Sequence, residues 1–208
     1  NQMESLSFLL NKVNARARET LLSSPGFRSH FEKDEEHDIV IMSIDIRRST
    51  DLMLKARSSR DYALFITALS EKLKRIIVDN FGIYDKFTGD GVLSFFPDFY
   101  SGDDAIGFAI KSARECHECF REHYRNSRSS FTAVLRETGL GIGIDYGRAN
   151  ITRINRDITV VGEPVVYACR FSGAPAGETL FNQNAFDLSR ERYKKIVFRE
   201  TEIDIKHE

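Results

Sequence analysis

Two aspartates invite a chemical reading. Asp45 lies near the end of an apolar, β-branched run at residues 38–46 (DIVIMSIDI), and IleArgArgSerThr then leads into a helical pattern. Asp90 sits in ThrGlyAspGly, between two β-like runs at residues 82–87 and 91–96. Taken singly, each is an ordinary turn or cap residue, since Asp-Gly favours a tight turn for backbone reasons. Taken together, a strand ending in Asp beside a hairpin tipped by Asp brings two carboxylates to one sheet edge. Such a pair repels unless a cation joins it, and Mg²⁺ or Mn²⁺ is the hard-cation answer. The backbone N–H groups of residues 47–50, at a helix N-terminus, add an anion site. Metal plus phosphate is the implied ligand chemistry.

Other motifs carry less. No GxxxxGK[ST] occurs, and GLGIGI at 139–144 alternates as a strand with no helix after it, unlike a dinucleotide loop. Cys116-His117-Glu118-Cys119 lies inside a helical pattern without a second pair, and Cys169 falls in another helix. Core or half-exposed helical cysteines fit better than half a zinc site, and His117 and His123 read as solvated helix positions. Pro164 opens a helix that places Val166 and Arg170 four residues apart on one face. Thr159, on the preceding strand, ends near that face.

These residues need a frame to hold them. Apolar residues Leu6, Leu9, Leu10, Val13, Ala17 and Leu21 follow a helical period, and SerSerProGly at 23–26 ends that segment. Residues 1–37 therefore read as an N-terminal helix and linker, and 38–208 as the main domain. Residues 38–46 form a buried strand, 50–57 a short helix capped by Ser49 or Thr50, and 60–80 an amphipathic helix. The runs at 82–87 and 91–96 pair as a hairpin. Residues 105–124 form a helix. Residues 140–146 turn at Gly147 into 148–154 as a second hairpin. Short strands at 158–161 and 179–181 flank the Pro164 helix, and a β pair at 195–199 and 202–206 closes the chain. The order β-α-α-β-β-α-β-β-α-β predicts an α+β fold, a mostly antiparallel sheet with packed helices.

Composition narrows the classes. The 208 residues are 41% hydrophobic and 29% charged, enough for one real core. Lys+Arg number 30 against 31 Asp+Glu, so general nucleic-acid binding is disfavoured. Three cysteines make no disulfide framework. No apolar run approaches the roughly 20 residues that span a bilayer, and NQMESLSFLL lacks a signal pattern, so a cytoplasmic domain is expected.

In order, these blocks resemble the catalytic domain of the class III nucleotidyl cyclases, from residue 38 to the C-terminus. The resemblance rests on Asp45-Ile46 with the following SerThr, on LysPheThrGlyAspGly at 86–91, and on GlyGluProValValTyrAlaCysArg at 162–170. It implies a ferredoxin-like cyclase fold and a homodimer with sites at the interface. One chain would give Asp45, the Ile46 carbonyl and Asp90 to two Mg²⁺ or Mn²⁺ ions. The other would give Lys86 and Thr159 to the base and Arg170 to the reacting phosphate. Arg47, Arg48, Ser49 and Thr50 would form the phosphate turn, and Lys206 would reach the terminal phosphates. The implied reaction is attack of the ribose 3′-OH on the α-phosphorus with loss of pyrophosphate.

The sequence departs from the family where a ribose-orienting Asn is expected, because Val166 stands there and cannot hydrogen-bond. IleAspIleArgArgSerThr, the hairpin at 87–97 and ProValValTyrAlaCysArg look most like the pyrimidine cyclases of bacterial antiphage signalling (Pycsar) systems. That resemblance implies UTP or CTP as substrate, UTP favoured, and a cyclic nucleotide that acts on a separate effector. Lys86 and Thr159 suit adenine and cytosine equally and can serve uracil, so an adenylyl cyclase is the first alternative. A degenerate, nucleotide-binding cyclase-like dimer is the second.

Overall fold

The computed structural model describes residues 7–202. At its centre is β1 (Glu36–Arg47), twelve residues of which nearly all the interior ones are buried. A strand buried on both faces reads as continuous apolar sequence, which is why residues 38–46 alternate so little. β1 pairs antiparallel with β3 (Gly91–Pro97) on one side and β4 (Gly139–Ile154) on the other. β2 (Ile83–Phe87) and β5 (Asp157–Val161) complete the order β2-β3-β1-β4-β5, and β6 (Thr179–Phe181) runs parallel to β4 at Ile142–Ile144. The fold is α+β with a mostly antiparallel sheet, as the sequence predicts.

Alternate residues of β1 serve two cores. Val40, Met42, Ile44 and Ile46 face α4 (Ser59–Asp79) and α6 (Ala105–Asn126), with Leu52 of α3 (Ser49–Lys55) and Ala185 of α8 (Gln183–Arg192) in the same cluster. Phe65 meets Phe131 edge to face at 5.1 Å there. Ile39 and Ile41 face the other way, onto Leu9, Val13, Phe31 and α7 (Glu163–Phe171) through Ala168. The same face carries α1 (Ala15–Ser23) and α2 (Pro25–Glu32), and α5 (Asp98–Ser101) follows β3.

Four local expectations are corrected. SerSerProGly does not end a helix before a linker: the Ser24 hydroxyl accepts from Phe27 N and Pro25 takes the first turn, so α2 begins there. Within residues 7–23 the helical pattern is broken at 11–14, and Asn14 caps α1 through Ala17 N at 2.9 Å. Gly147 makes no turn. β4 runs straight through it, and the reversal falls at Asn155 and Arg156, whose φ values of 48° and 67° form the paired positive turn that suits a two-residue hairpin. Residues 195–199 are not a strand, and the expected partner at 202–206 lies mostly outside the described residues.

The glycines of β4 have a different task. A Cβ at Gly143 would stand 2.1 Å from the Ala168 carbonyl oxygen, and one at Gly141 would stand 2.3 Å from that of Ser172. Gly147 likewise leaves room for the Pro164 ring. Three side-chain-free positions on one face of the strand let α7 lie directly on the sheet. GLGIGI is a packing seam.

His117 and His123 are core residues rather than solvated ones. His117 Nε2 lies 2.9 Å from the Thr179 hydroxyl, and His123 Nε2 lies 2.9 Å from the Phe65 carbonyl. Burial pushes the His117 imidazole down to about 4, with Arg121 acting in the same direction. Cys116 is buried in α6, Cys119 half-buried and Cys169 exposed in α7.

Candidate active site

Asp45 lies two residues before the end of β1, in register with Gly91 of β3 and Gly141 of β4. Both neighbours lack a side chain, so neither covers the half-buried carboxylate, which lies on the α7 face and borders the cleft there. Asp90 is at the hairpin tip one residue before β3, and its carbonyl accepts from Ile46 N at 2.7 Å. That bond pins the hairpin tip to the end of β1. The tip itself is shaped by Gly89 at φ +92° and by Thr88, whose hydroxyl lies 3.2 Å from Asp90 Oδ1. The two aspartates therefore share one end of the sheet.

Burial raises the Asp45 pKa, and the neighbouring Asp90 charge raises it further, against the lowering effect of Arg47. Arg47 Nη1 lies 2.6 Å from Asp45 Oδ2 and supplies the positive charge. Crowded negative charge held by a cationic group is the environment in which a divalent cation fits. The donor set, two carboxylates beside a strand-end carbonyl, suits hard Mg²⁺ or Mn²⁺.

Arg48 is the N-cap of α3, at φ 60°, in place of the expected Ser49 or Thr50 cap. Its guanidinium is committed to Asp51 at 3.0 Å and to the Arg136 carbonyl at 2.7 Å. Of the two arginines of the expected phosphate turn, only Arg47 reaches toward Asp45. Ser49 opens α3 with Thr50 behind it.

A cavity of about 430 Å³ lies between the sheet and α7, lined by Asp45, Lys86, Thr88, Val165, Cys169 and Ser172 among others. Asp45 and Lys86 of one chain thus border one cleft. Val166 and Arg170 do not. They sit on the outward side of α7, Val166 at 47% exposure, with the Arg170 guanidinium 5.9 Å from the Tyr167 ring centre. Lys206 lies outside the described residues.

Thr159 has a partner the sequence did not disclose. Its hydroxyl donates to Asp85 Oδ2 at 2.7 Å, and Val160 N donates to the same oxygen at 3.0 Å. Asp85 is 2% exposed and lies 3.9 Å from Lys86 Nζ. It is the extra residue of a bulge, since the β2–β3 register slips between Tyr84 and Lys86. Burial raises the Asp85 pKa, opposed by Val160 N, Thr159, Lys86 and Lys12. With its proton committed to Asp85, Thr159 offers an acceptor, beside the donor Lys86. Alternation places Asp85 on the buried face of Ile83, and the bulge then turns Lys86, opposite Leu93, toward that same face. The adjacent Asp-Lys pair in an otherwise apolar run was the available signal.

This sheet, its order and its helices are those of the class III cyclase fold. Solved structures share it: the adenylyl cyclase CyaB from P. aeruginosa, at 20% identity, aligns over 77% of this chain and 84% of its own with a TM-score of 0.69. The guanylyl cyclase Cya2 aligns at 21% identity over 75% of this chain and 80% of its own, with a TM-score of 0.66. A class III adenylyl cyclase-like ATP-binding protein from Pseudomonas aeruginosa matches at 20% identity over 83% of this chain and 42% of its own, TM-score 0.64. No protein-family model and no curated protein matches the sequence. No helix among the described residues is long and apolar enough to cross a membrane.

Proposed function

We propose that residues 38–208 form a nucleotidyl cyclase domain that converts a pyrimidine nucleoside triphosphate, UTP before CTP, to its 3′,5′-cyclic nucleotide and pyrophosphate. The observation that carries the cyclase reading is the meeting of Asp45 and Asp90 at one end of the sheet, fastened by the Ile46–Asp90 bond. Two divalent cations bound by Asp45, Asp90 and the Ile46 carbonyl would supply charge neutralisation and a more acidic 3′-OH. Arg47 would leave Asp45 for the triphosphate when its charge is no longer needed on the carboxylate.

Lys86 donates and Thr159 accepts, so the base edge must pair an acceptor with an N–H donor. Cytosine offers N3 and N4–H, and uracil offers O4 and N3–H. Adenine offers N1 and N6–H, which keeps ATP as the competing substrate. The pyrimidine reading, and with it an antiphage messenger acting on a separate effector, rests on the sequence resemblance in the three motif blocks. The outward placement of Val166 and Arg170 supports a homodimer in which Arg170 reaches the reacting phosphate of the other chain's site.

Incubation with Mn²⁺ and each nucleoside triphosphate in turn, with products identified by mass spectrometry, tests this. Cyclic UMP or cyclic CMP, abolished by Asp90→Ala, is the expected result. Cyclic AMP alone overturns the pyrimidine assignment, and no cyclic product overturns the cyclase reading in favour of a nucleotide-binding dimer. Full activity from a strict monomer overturns the shared site.

A further inference from the structure

At the opposite end of β1 from Asp45, three metal-ligating side chains converge. His30 of α2, Glu35 of the connecting turn and His37 of β1 place one ligand atom each within 4.8 Å of one another. His37 shares the sheet face of Asp45 but precedes it by eight residues, about 26 Å at the rise of an extended strand. The cluster is therefore separate from the nucleotide site.

One nitrogen of the cluster is left without a partner. His37 is 8% exposed, and its Nε2 is buried without a hydrogen-bond partner. A buried polar atom left unpaired carries a desolvation cost, so such an atom signals a missing partner. His37 Nδ1 faces Asp98 Oδ1 of α5 at 3.7 Å. A carboxylate behind the far ring nitrogen is the usual device that fixes a ligating imidazole's tautomer and turn. Phe99 walls both imidazoles, stacked on His30 at 4.6 Å and tilted against His37 at 4.7 Å. Glu35 is exposed and only loosely paired, 4.0 Å from Lys33, so its carboxylate is available.

We propose that His30, Glu35 and His37 form a zinc site, with the Asp98 carboxylate close behind His37 and a water in the fourth position. Two imidazoles and a carboxylate select a borderline cation such as Zn²⁺ rather than Mg²⁺. Ligands at a tetrahedral zinc stand about 3.3 Å apart, as bonds of roughly 2.0–2.1 Å require, so small rotations of His30 and Glu35 close the site. The ion would join α2, the turn, β1 and α5, clamping the N-terminal helices to the sheet.

The whole 208-residue chain, stripped with chelator and held in excess Mg²⁺, is titrated with Zn²⁺ by calorimetry and with Co²⁺ by visible absorption. One equivalent of Zn²⁺ per chain, a rise in Tm and a tetrahedral Co²⁺ band are expected. His30→Ala and Glu35→Gln, at half-buried and exposed positions that tolerate change, each weaken binding at least tenfold, whereas Asp90→Asn leaves it unchanged. Absence of saturable binding, equal binding by His30→Ala, or loss of binding in Asp90→Asn overturns the site.

Discussion

Replacing Gly143 by alanine adds a single methyl group to the seam between β4 and α7. The new Cβ would lie 2.1 Å from the Ala168 carbonyl oxygen, 2.6 Å from Ser172 N and 2.8 Å from the Phe171 carbonyl carbon. All three are backbone atoms, so no side chain can swing aside. Ordinary contact begins at 3.4 Å, and the helix must retreat by roughly 1 Å. Overpacking of this kind costs about 1–3 kcal/mol. At about 2–4 °C per kcal/mol for a chain of this size, the Tm falls by roughly 2–12 °C. The same displacement moves Val166, Cys169 and Arg170 together, and a 1 Å misplacement costs on the order of 100-fold in rate. Gly26→Ala, in α2 with no atom within 4 Å of its Cβ, is the control and leaves both quantities near or above wild type. Thermal denaturation and nucleotide turnover are measured on both variants. A Gly143→Ala protein with wild-type Tm and turnover refutes the close-packing account of the β4 glycines.

Asp85→Ala leaves the Thr159 hydroxyl and Val160 N–H without their buried acceptor, at about 1–3 kcal/mol each. Nucleotide KM rises about tenfold with kcat less affected, and Asp85→Asn, which keeps one acceptor oxygen, recovers part of the loss; unchanged KM in the alanine variant contradicts a positioning role. His117, 9% exposed, is held neutral by burial down to about pH 4, against 6.5 for a free imidazole. The unfolded chain binds that proton first, so stability falls as pH drops from 6.5 toward 4, by about 2 kcal/mol at pH 5 for this group. Urea denaturation at pH 7 and pH 5 should show a smaller acid loss in His117→Gln than in wild type, and equal losses would contradict the assignment.

Periodicity made much of this molecule legible. β1, α4, α6 and the β2–β3 hairpin follow from apolar spacing and one Asp-Gly turn, and Asp45 and Asp90 follow from where those elements end. Glycine and proline were harder, because each answers two structural needs. Gly147 serves close approach by Pro164 as naturally as it serves a turn, and only the position of α7 decides between them. Ser-Pro ends one helix and starts another with the same letters. Asp85 has no visible partner until β5 comes beside β2, and the His30–Glu35–His37 spacing carries no meaning until α2 folds back onto β1. Long-range juxtaposition, in each case, is what the local pattern leaves out.

The outermost strands are surfaces on which unwanted association could begin. β2 and β5 terminate the sheet, and their outward N–H groups could template a strand from another molecule. Here Val160 N is occupied by Asp85, and Tyr84 N donates to the Lys12 carbonyl at 3.2 Å. Lys12 Nζ also bonds the Asp85 carbonyl and pairs with Asp157 at 3.0 Å. One lysine and one aspartate thus occupy N–H groups on both the β2 and the β5 margins, while β6 ends the sheet separately beside β4. A chain shortened past Lys12 would uncover the β2 margin, and its first symptom would be loss of solubility during expression rather than loss of chemistry.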